Sequence, residues 1–425
     1  MTPTTLTGTL LAASLLTLAA ASTPPEQCGW GLPRSPLQYL PLCLDDTAGP
    51  DPSIWAPWTH KPFCVEAHET PWCVYTNAAV PRANGKRRGI SIVTTPALAA
   101  DVLDLTRHPL GAAFDAIPPE KKFDALPYEV RDVPGKGKGA VATRKIEKGR
   151  VVLIDHVMVL ATAEFPADVM HEEVQDLLSR GVEQLSESGS VYGLAQKGRE
   201  EQGLTEVEDV LLTNSFEIAV ADQPYMWIFP DLSRLNHACS SNAIMHFSET
   251  TLAMTVWSSR DIEPGEEITI TYSDADMTYA ERKKTFSEVW GFDCTCNLCT
   301  ASEERRNASD ARRLKIHMLR ERVLKRAKEG DFKRAIKATE ELFQVADEEG
   351  LTPHMGDLYE IPARLYYQIG DLEKAREYTK RSLYQVEGLG VPGGKDIERV
   401  EVLKGVLSRI ENEMGEVSEG AEENK

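Results

Sequence analysis

Residues 290–299 read Trp-Gly-Phe-Asp-Cys-Thr-Cys-Asn-Leu-Cys, a short loop that holds three cysteines: Cys294, Cys296 and Cys299. Thiols this close together cannot easily pair with one another in unstrained disulfides. A structural zinc ion takes four tetrahedral ligands, so three thiolates leave one position to fill. The only other cysteine in this half of the chain is Cys239, within residues 234–242, Arg-Leu-Asn-His-Ala-Cys-Ser-Ser-Asn. The two stretches predict a four-cysteine zinc site, and the alternative is a group of reduced, buried thiols.

The whole chain has 425 residues, of which 42% are hydrophobic and 27% are charged. This composition is that of a folded protein with about three domains' worth of chain. Its 66 acidic residues outnumber 47 Lys and Arg, for a net charge of −19. Because a phosphate backbone attracts cations, this charge argues against direct nucleic acid binding and favours a basic protein partner. Nothing in the sequence indicates an oligomeric state.

The N-terminal segment, residues 1–22, contains an Ala- and Leu-rich run that ends in small residues. This pattern is typical of a secretory signal peptide, although residues 1–5 lack the usual Lys or Arg. The alternatives are an apolar tail or a membrane anchor, for which the run is short. A used signal would place the protein in the secretory pathway or outside the cell, with no membrane span in the mature chain. Otherwise we expect the nucleus or the cytoplasm.

Four more cysteines lie in residues 23–124, a region crowded with Trp, Pro and Gly: Cys28, Cys43, Cys64 and Cys73. Such a segment can bury little core by itself. In an oxidising compartment we expect two disulfides among the four, with a connectivity that the sequence leaves open. In a reducing compartment the same cysteines would be free or would bind a metal, although their spacing matches no common zinc motif.

The region between the two groups of cysteines mixes strand and helix patterns. Strand-like runs occur at 128–133, 151–160, 243–247, 252–257 and 267–272. A glycine-rich loop, Gly135-Lys-Gly-Lys-Gly139, follows the first of them. Residues 166–221 carry apolar side chains at helical steps, Leu177 and Phe216 among them. The pattern predicts an α+β domain over residues 125–275 that is split by a helical insertion.

The pattern after the cysteine loop is helical. Ser309-Asp310 is a capping signal for a helix that begins at Ala311. Two similar units open amphipathic runs within residues 305–410 and resemble tetratricopeptide hairpins: Gly330-Asp-Phe-Lys-Arg-Ala335 and Gly370-Asp-Leu-Glu-Lys-Ala375. So few units are rarely stable alone, and we expect them to dock on the preceding domain. The Glu-rich end, residues 411–425, is predicted to be disordered.

Four motifs in register resemble a SET domain with a post-SET zinc loop: Gly135–Gly139, Arg234–Asn242, Glu267-Ile-Thr-Ile-Thr-Tyr272 and Trp290–Cys299. The resemblance assigns the SET domain to residues 125–275 and the zinc loop to 276–300. It points to the fungal SET proteins allied to the SET-and-MYND class, because a helical insertion splits the domain, and the sequence contains no MYND cysteine and histidine cluster. The implied fold is a set of small twisted β-sheets with a pseudoknot-like crossing of the Asn-His and Tyr272 segments.

The resemblance also implies roles for individual residues. Contacts to S-adenosylmethionine would come from Lys136, Gly137, Lys138, Gly139, Asn236, His237, Tyr272 and Phe292. Tyr272 would be the catalytic tyrosine, and zinc would fold the post-SET loop over the cofactor. One departure is Ser241, which stands where the family has a proline before Asn242.

The function implied by the resemblance is methyl transfer from S-adenosylmethionine to a lysine on a protein substrate, with a basic protein such as a histone as the expected partner. The acceptor amine must be neutral although its free pKa is about 10.4, which calls for a desolvating channel. Two alternatives remain open. One is a catalytically silent, zinc-bearing SET-fold interaction module, and the other is a secreted disulfide-rich protein whose N-terminal segment performs recognition.

Overall fold

A computed structural model describes residues 55–422 except for the following gaps: 68–69, 81–87, 106–122, 124, 196–202, 221–222, 249–250, 275, 352–357 and 389–394. Residues 1–22, Cys28 and Cys43 lie outside the described residues. The signal peptide and the pairing of these two cysteines therefore stay predictions.

The described strands are β1 (Phe63–Val65), β2 (Trp72–Asn77), β3 (Ile90–Thr94), β4 (Tyr128–Val133), β5 (Gly137–Ala142), β6 (Val151–His156), β7 (Val159–Thr162), β8 (Phe216–Val220), β9 (Gln223–Ile228), β10 (Asn236–His237), β11 (Ala243–Ser248), β12 (Ala253–Ser258) and β13 (Thr269–Ile270). The described helices are α1 (Pro96–Leu105), α2 (His171–Glu183), α3 (Ser188–Tyr192), α4 (Glu206–Asn214), α5 (Tyr279–Val289), α6 (Glu303–Lys328), α7 (Phe332–Glu348), α8 (Glu360–Gln368), α9 (Leu372–Gly388) and α10 (Lys395–Glu422). A short 3-10 helix, Leu232–Arg234, precedes β10.

The largest sheet joins the N-terminal strands to the strands that follow the glycine-rich loop. Its order is β1-β2-β3-β7-β9-β8, and β3 runs parallel to β7. Successive side chains of a strand face opposite sides, so Ile92 and Val93 of β3 pack into two different hydrophobic cores. The N-terminal region, which by itself would bury little, thus shares the cores of the rest of the domain. Cys64 and Cys73 lie opposite each other in β1 and β2 and form a disulfide, as predicted for two of these cysteines.

The remaining sheets are small, which confirms the predicted α+β class. The β4–β5 hairpin carries the glycine-rich loop, and β11, β12 and β6 form a three-stranded sheet in that order along its width. β10 pairs in parallel with β13, so that Asn236 lies beside Thr269 and His237 beside Ile270. This pairing brings together the two segments that were expected to meet.

The insertion contains α2, α3 and α4, and α2 packs Leu177 and Val182 onto the large sheet. Thr205 caps α4 by accepting from the Glu208 N–H at 3.2 Å, while the Glu208 carboxylate accepts from the Thr205 N–H at 2.6 Å. This reciprocal pair is a capping box. The prediction that the helical pattern includes Phe216 is wrong, because Phe216 begins β8. Exposure alternates along β8 with a period of two, and its pairing with β9 overrides the helical spacing.

The C-terminal helices pack one against the next, from α6 through α10. The predicted start of the first helix is wrong, because α6 begins at Glu303 and Ser302 accepts from the Arg305 N–H at 3.4 Å. Two acidic residues in the first turn favour this earlier start through the helix dipole. Asp310 instead accepts from the Tyr279 N–H at 2.8 Å and so caps the neighbouring α5.

The two Gly-Asp units have the same local structure. Gly330 and Gly370 have positive φ angles of 74° and 78°, which favour glycine at the turn between helices. Asp331 and Asp371 each accept from the backbone N–H three residues further on. The alanine that closes each unit is fully buried. The similarity to tetratricopeptide hairpins stays a prediction.

The C-terminal segment is helical where disorder was predicted. α10 continues to Glu422, with Ile410 fully buried and Val406 and Met414 packed against the same core at four-residue steps. The high Glu content of residues 411–425 predicted disorder, but residues 411–422 continue the helix, and Met414 extends the apolar stripe into them. Among the described residues, no helix is both long enough and apolar enough to cross a lipid bilayer.

Candidate active site and metal centre

A cavity of about 510 Å³ lies where the small sheets, the insertion and the cysteine loop meet. Its walls come from Tyr272 and from five stretches of chain: 135–138, 193–195, 213–214, 233–234 with 236–237, and 290–295. Seven of the eight residues that the sequence assigns to a cofactor line it: Lys136, Gly137, Lys138, Asn236, His237, Tyr272 and Phe292. The volume is in the range of small-molecule sites in proteins.

The turn between β4 and β5 forms one wall of the cavity. Gly135 and Gly137 have φ angles of 75° and 71°, a conformation that side chains strongly disfavour, and the Lys136 N–H donates to the Val133 carbonyl at 3.0 Å. The Lys136 ammonium lies 2.6 Å from the Glu267 carboxylate. The Lys138 ammonium instead pairs with exposed Asp132 at 2.9 Å.

Glu267 connects this wall to the next one. Its second oxygen accepts from the Asn236 amide at 2.9 Å, and the same amide reaches the Lys138 carbonyl at 3.2 Å. Gly139, the eighth assigned residue, lies just behind: a β-carbon there would be 2.7 Å from the Asn236 amide nitrogen. Gly139 therefore permits the close approach of the strand to Asn236.

His237 and Asn242 fix the backbone around β10. His237 is 4% exposed, and its Nδ1 accepts from the Tyr272 N–H at 3.1 Å. The buried Asn242 accepts from the Thr269 N–H at 2.8 Å through its side-chain oxygen. The Ser241 hydroxyl, at the position of the missing proline, donates to the Ala243 carbonyl at 3.1 Å, which closes the turn locally.

Tyr272 faces the cavity with a neutral hydroxyl. The hydroxyl donates to the Leu235 carbonyl at 2.8 Å. Burial, with a smaller contribution from the charge of Glu267, raises the pKa of Tyr272 well above its usual value. The phenol therefore stays protonated at physiological pH, so it is unsuited to act as a base but keeps lone pairs that accept hydrogen bonds.

Aromatic side chains form the opposite wall. Phe292 stacks on Phe286 with ring centroids 5.3 Å apart, and Phe286 packs against His237 at 4.2 Å. Trp290 lies 5.7 Å from Tyr272, again between ring centroids. The cysteine loop thus contributes flat apolar surfaces to the cavity.

The four cysteines assigned to a metal come together as predicted: Cys239, Cys294, Cys296 and Cys299. Their sulfur atoms all lie within 4.8 Å of one another, and Cys239 is 3.4 Å from Cys299 and 3.9 Å from Cys294. Zn–S bonds of about 2.3 Å in a tetrahedron place sulfurs about 3.8 Å apart. The donor set and its spacing therefore fit zinc. With four protein ligands, such an ion would be structural.

The insertion contributes cavity residues that were not predicted from the sequence, two of them at the end of α4. Thr213 and Asn214 end α4 and enter the cavity from the insertion. The Asn214 side-chain oxygen is buried and finds no hydrogen-bond partner among the described residues. Only the fold places it at the cavity, since a helix-terminal asparagine has many uses in proteins.

Comparison with known proteins identifies the fold. The family model described as "SET domain" matches residues 137–273. The chain is 28% identical over 265 residues to histone-lysine N-methyltransferase set5 of Schizosaccharomyces pombe, covering 61% of this chain and 79% of that protein. It is 35% identical over 96 residues to histone-lysine N-methyltransferase SMYD3 of Homo sapiens, which is 22% of each chain. It is 34% identical over 92 residues to N-lysine methyltransferase SMYD2 of Gallus gallus, covering 22% of this chain and 20% of that one.

The matches and the site together show that the chain contains a SET domain over residues 137–273. The chain spans most of set5 but only about a fifth of the two SMYD proteins. More particularly, the relatives to which the chain is similar include set5 and the SMYD-type lysine methyltransferases. No MYND finger is found in the part of the chain that the structure describes, where the sole cysteine cluster is the one at Cys239.

Proposed function

We propose that the protein transfers a methyl group from S-adenosylmethionine to the side-chain amine of a lysine in a protein substrate. The observation that carries this proposal is the shared cavity. Residues from four separate motifs line it together: Lys136, Asn236, His237, Tyr272 and Phe292. Relatives that are named as lysine methyltransferases support the reaction class.

The residues of the cavity are suited to the parts of the cofactor. S-adenosylmethionine, when bound, supplies an electrophilic methyl group on a positively charged sulfur. Lys136 would hold a carboxylate, because its ammonium keeps donors beyond the one used by Glu267. Asn236 and His237 would hold the amino acid and adenine parts, and Phe292 would cover the adenine ring. The orphan oxygen of Asn214 would accept from a donor on the ligand.

Tyr272 would position the acceptor amine. Its hydroxyl is held by the Leu235 carbonyl, so its lone pairs have a fixed direction in which to accept a hydrogen bond from the lysine. Its pKa is raised by burial, which keeps it neutral during turnover. The amine itself must lose a proton, and a desolvated site beside a cationic sulfur lowers the pKa of lysine.

Zinc would have a structural role at the four cysteines. It would fix the 290–299 loop, and with it Phe292 and Trp290, against the segment that carries Asn236 and His237. A basic protein such as a histone is the proposed substrate, supported by the net charge of −19 and by the names of the relatives.

The decisive test compares Tyr272→Phe with the unchanged protein. We expect methyl transfer from labelled cofactor to mixed histones to fall by about 100-fold, because the amine loses its positioning hydrogen bond. Cofactor affinity, measured by calorimetry, should change little.

Tyr225→Phe is the matched control. It also removes a buried hydroxyl, which lies 2.6 Å from the Thr94 hydroxyl and away from the cavity. The rate of methyl transfer by this variant should stay near that of the unchanged protein. Full transfer by Tyr272→Phe would contradict the assigned role. Cofactor binding by the unchanged protein without transfer to any lysine-rich protein would favour the silent interaction module.

A further inference from the structure

Arg313 is a buried cation that belongs neither to the cavity nor to the cysteine cluster. It lies on α6 in the C-terminal helical region, and only 1% of its side chain is exposed. A buried charge is costly unless it is paired and hydrogen-bonded. Its Nη2 donates to the Cys239 carbonyl at 3.0 Å, and its Nε lies 2.9 Å from a Glu349 oxygen.

Glu349 fixes the orientation of this guanidinium. It follows α7 directly, its side chain is 3% exposed, and it also accepts from Arg312 at 2.7 Å and from the Ser309 hydroxyl. Because a guanidinium is planar, holding its Nε edge determines where the remaining N–H groups point. One of them is thereby directed at Cys239.

The position of the Cys239 backbone affects both the cysteine cluster and the cavity. Its sulfur belongs to the metal cluster, and it lies two residues after His237 and three after Asn236, which line the cavity. A displacement of this segment would therefore alter the metal site and the cavity together.

The same helix also holds the other side of the cluster. Arg306, two turns before Arg313 on α6, donates to the Ala301 carbonyl at 3.0 Å and the Cys299 carbonyl at 3.5 Å. Two arginines of one helix thus contact both chain segments that carry the sulfurs. Four thiolates around a divalent ion also leave excess negative charge, which a nearby buried cation stabilises.

From these contacts we propose that Arg313, oriented by Glu349, is a positioning residue that holds Cys239 for metal retention and cofactor binding. The C-terminal helical region then helps to fix the geometry of the metal site and of the cavity. This inference rests on the proposed function where it concerns zinc and S-adenosylmethionine.

The test uses the full chain and three variants: Arg313→Met, Arg313→Lys and Arg312→Met. Arg312 is the matched control, because it pairs with the same Glu349 but makes no described contact with Cys239. The readouts are the rate of zinc release to a chromogenic chelator, cofactor affinity by calorimetry, and thermal unfolding. Residues that support metal ligands typically change metal affinity by about tenfold or more when lost.

We expect Arg313→Met to release zinc about tenfold faster and to bind the cofactor more weakly. Arg313→Lys, which keeps the charge and one donor, should recover part of both losses, and Arg312→Met should resemble the unchanged protein. Equal effects of Arg312→Met and Arg313→Met, or unchanged zinc release in Arg313→Met, would overturn the proposal. If Arg313→Met does not fold, the comparison of Arg313→Lys with Arg312→Met decides.

Failure of the proposed function would look different. All four proteins would then lack bound zinc or cofactor, or would bind the cofactor without methyl transfer. Failure of the Arg313 inference alone leaves the unchanged protein loaded and active and the variants alike.

Discussion

Glu267 is the residue on which two walls of the cavity depend. One carboxylate oxygen holds the Lys136 ammonium at 2.6 Å, and the other holds the Asn236 amide at 2.9 Å. Gly139 lies against both Asn236 and Glu267, so any side chain there would push into this contact.

Gly139→Ala should therefore weaken cofactor binding. Its new β-carbon would be 2.7 Å from the Asn236 amide nitrogen and 3.0 Å from Glu267, which forces one of them to move. We expect about a tenfold loss of affinity, or about 1.4 kcal/mol, in calorimetry.

The control for this change is Gly189→Ala, at an exposed position of helix α3. A β-carbon at Gly189 meets nothing within 4 Å, so cofactor affinity should be unchanged. An alanine in a helix adds roughly 0.5–1 kcal/mol of stability at such a position. Equal affinities for both variants would show that the approach of Gly139 to Asn236 is not needed for binding.

At the scale of elements, the cysteine loop is the part that would depend most on a bound zinc ion. Within the described residues, positions 290–299 form neither helix nor strand. Their fixed points are three of the four sulfurs, the stacking of Phe292 on Phe286 and the contact of Arg306 with the Cys299 carbonyl. Such a segment lacks the ladder of backbone hydrogen bonds that holds β2 and β3.

Removal of zinc by a chelator should loosen this loop without unfolding the domain. We expect faster amide exchange over residues 290–299 and a loss of cofactor affinity, because Phe292 and Trp290 lose their support. Exchange over β2 and β3 should stay slow and serves as the internal control. Unchanged exchange in the loop after complete zinc removal would contradict a structural role for the metal.

At the scale of the whole molecule, a buried ion pair joins the N-terminal region to the site. Arg88, 4% exposed, lies 2.5 Å from the fully buried Asp155 and 3.1 Å from Asp231. Asp155 also accepts from the backbone N–H groups of Asp231 and Leu232, just before the turn that leads to Asn236. Burial raises the pKa of Asp155 to about 6, although the charge of Arg88 lowers it.

The raised pKa of Asp155 makes the free energy of unfolding depend on pH in one direction. A carboxyl with a folded pKa near 6 holds its proton to higher pH than in the unfolded chain, where its pKa is about 3.9. Its contribution to the free energy of unfolding is therefore greatest below about pH 4 and falls as the pH rises to about 6.

In Arg88→Met, the free energy of unfolding should continue to fall at higher pH, because the pKa of Asp155 rises further without the compensating charge of Arg88. We expect the variant to lose about 3–5 kcal/mol of unfolding free energy at about pH 8, and clearly less at about pH 5. Urea unfolding at the two pH values measures the difference.

The double variant Arg88→Met with Asp155→Asn is the control. It removes the charge that was left unpaired, so the extra loss at high pH should disappear. A pH-independent loss in Arg88→Met alone would mean that packing, and not the charge of Asp155, sets the cost.

Local chemistry made much of the site predictable. Cys294, Cys296 and Cys299 are too close in sequence for ordinary disulfides, so their spacing predicts a metal site, and their sulfurs do come together with that of Cys239. The Gly-Lys-Gly loop predicts a tight hairpin in the same way. Structure that depends on contacts between distant residues was harder to predict. The spacing around Phe216 fits a helix, and only the pairing with β9 makes this residue part of a strand.

By itself, the sequence determined the class of fold and the four cysteines that come together, and it predicted seven residues that line the cavity, because each rests on short-range spacing or on motifs in register. The tertiary structure alone decided the partners of Glu267, the entry of Asn214 into the cavity and the contact of Arg313 with Cys239. Arg313 and Cys239 are separated by 74 residues. A buried charge must find a partner, but many acids and carbonyls would satisfy it equally, and only the packing of helices against sheets selects which one lies within reach.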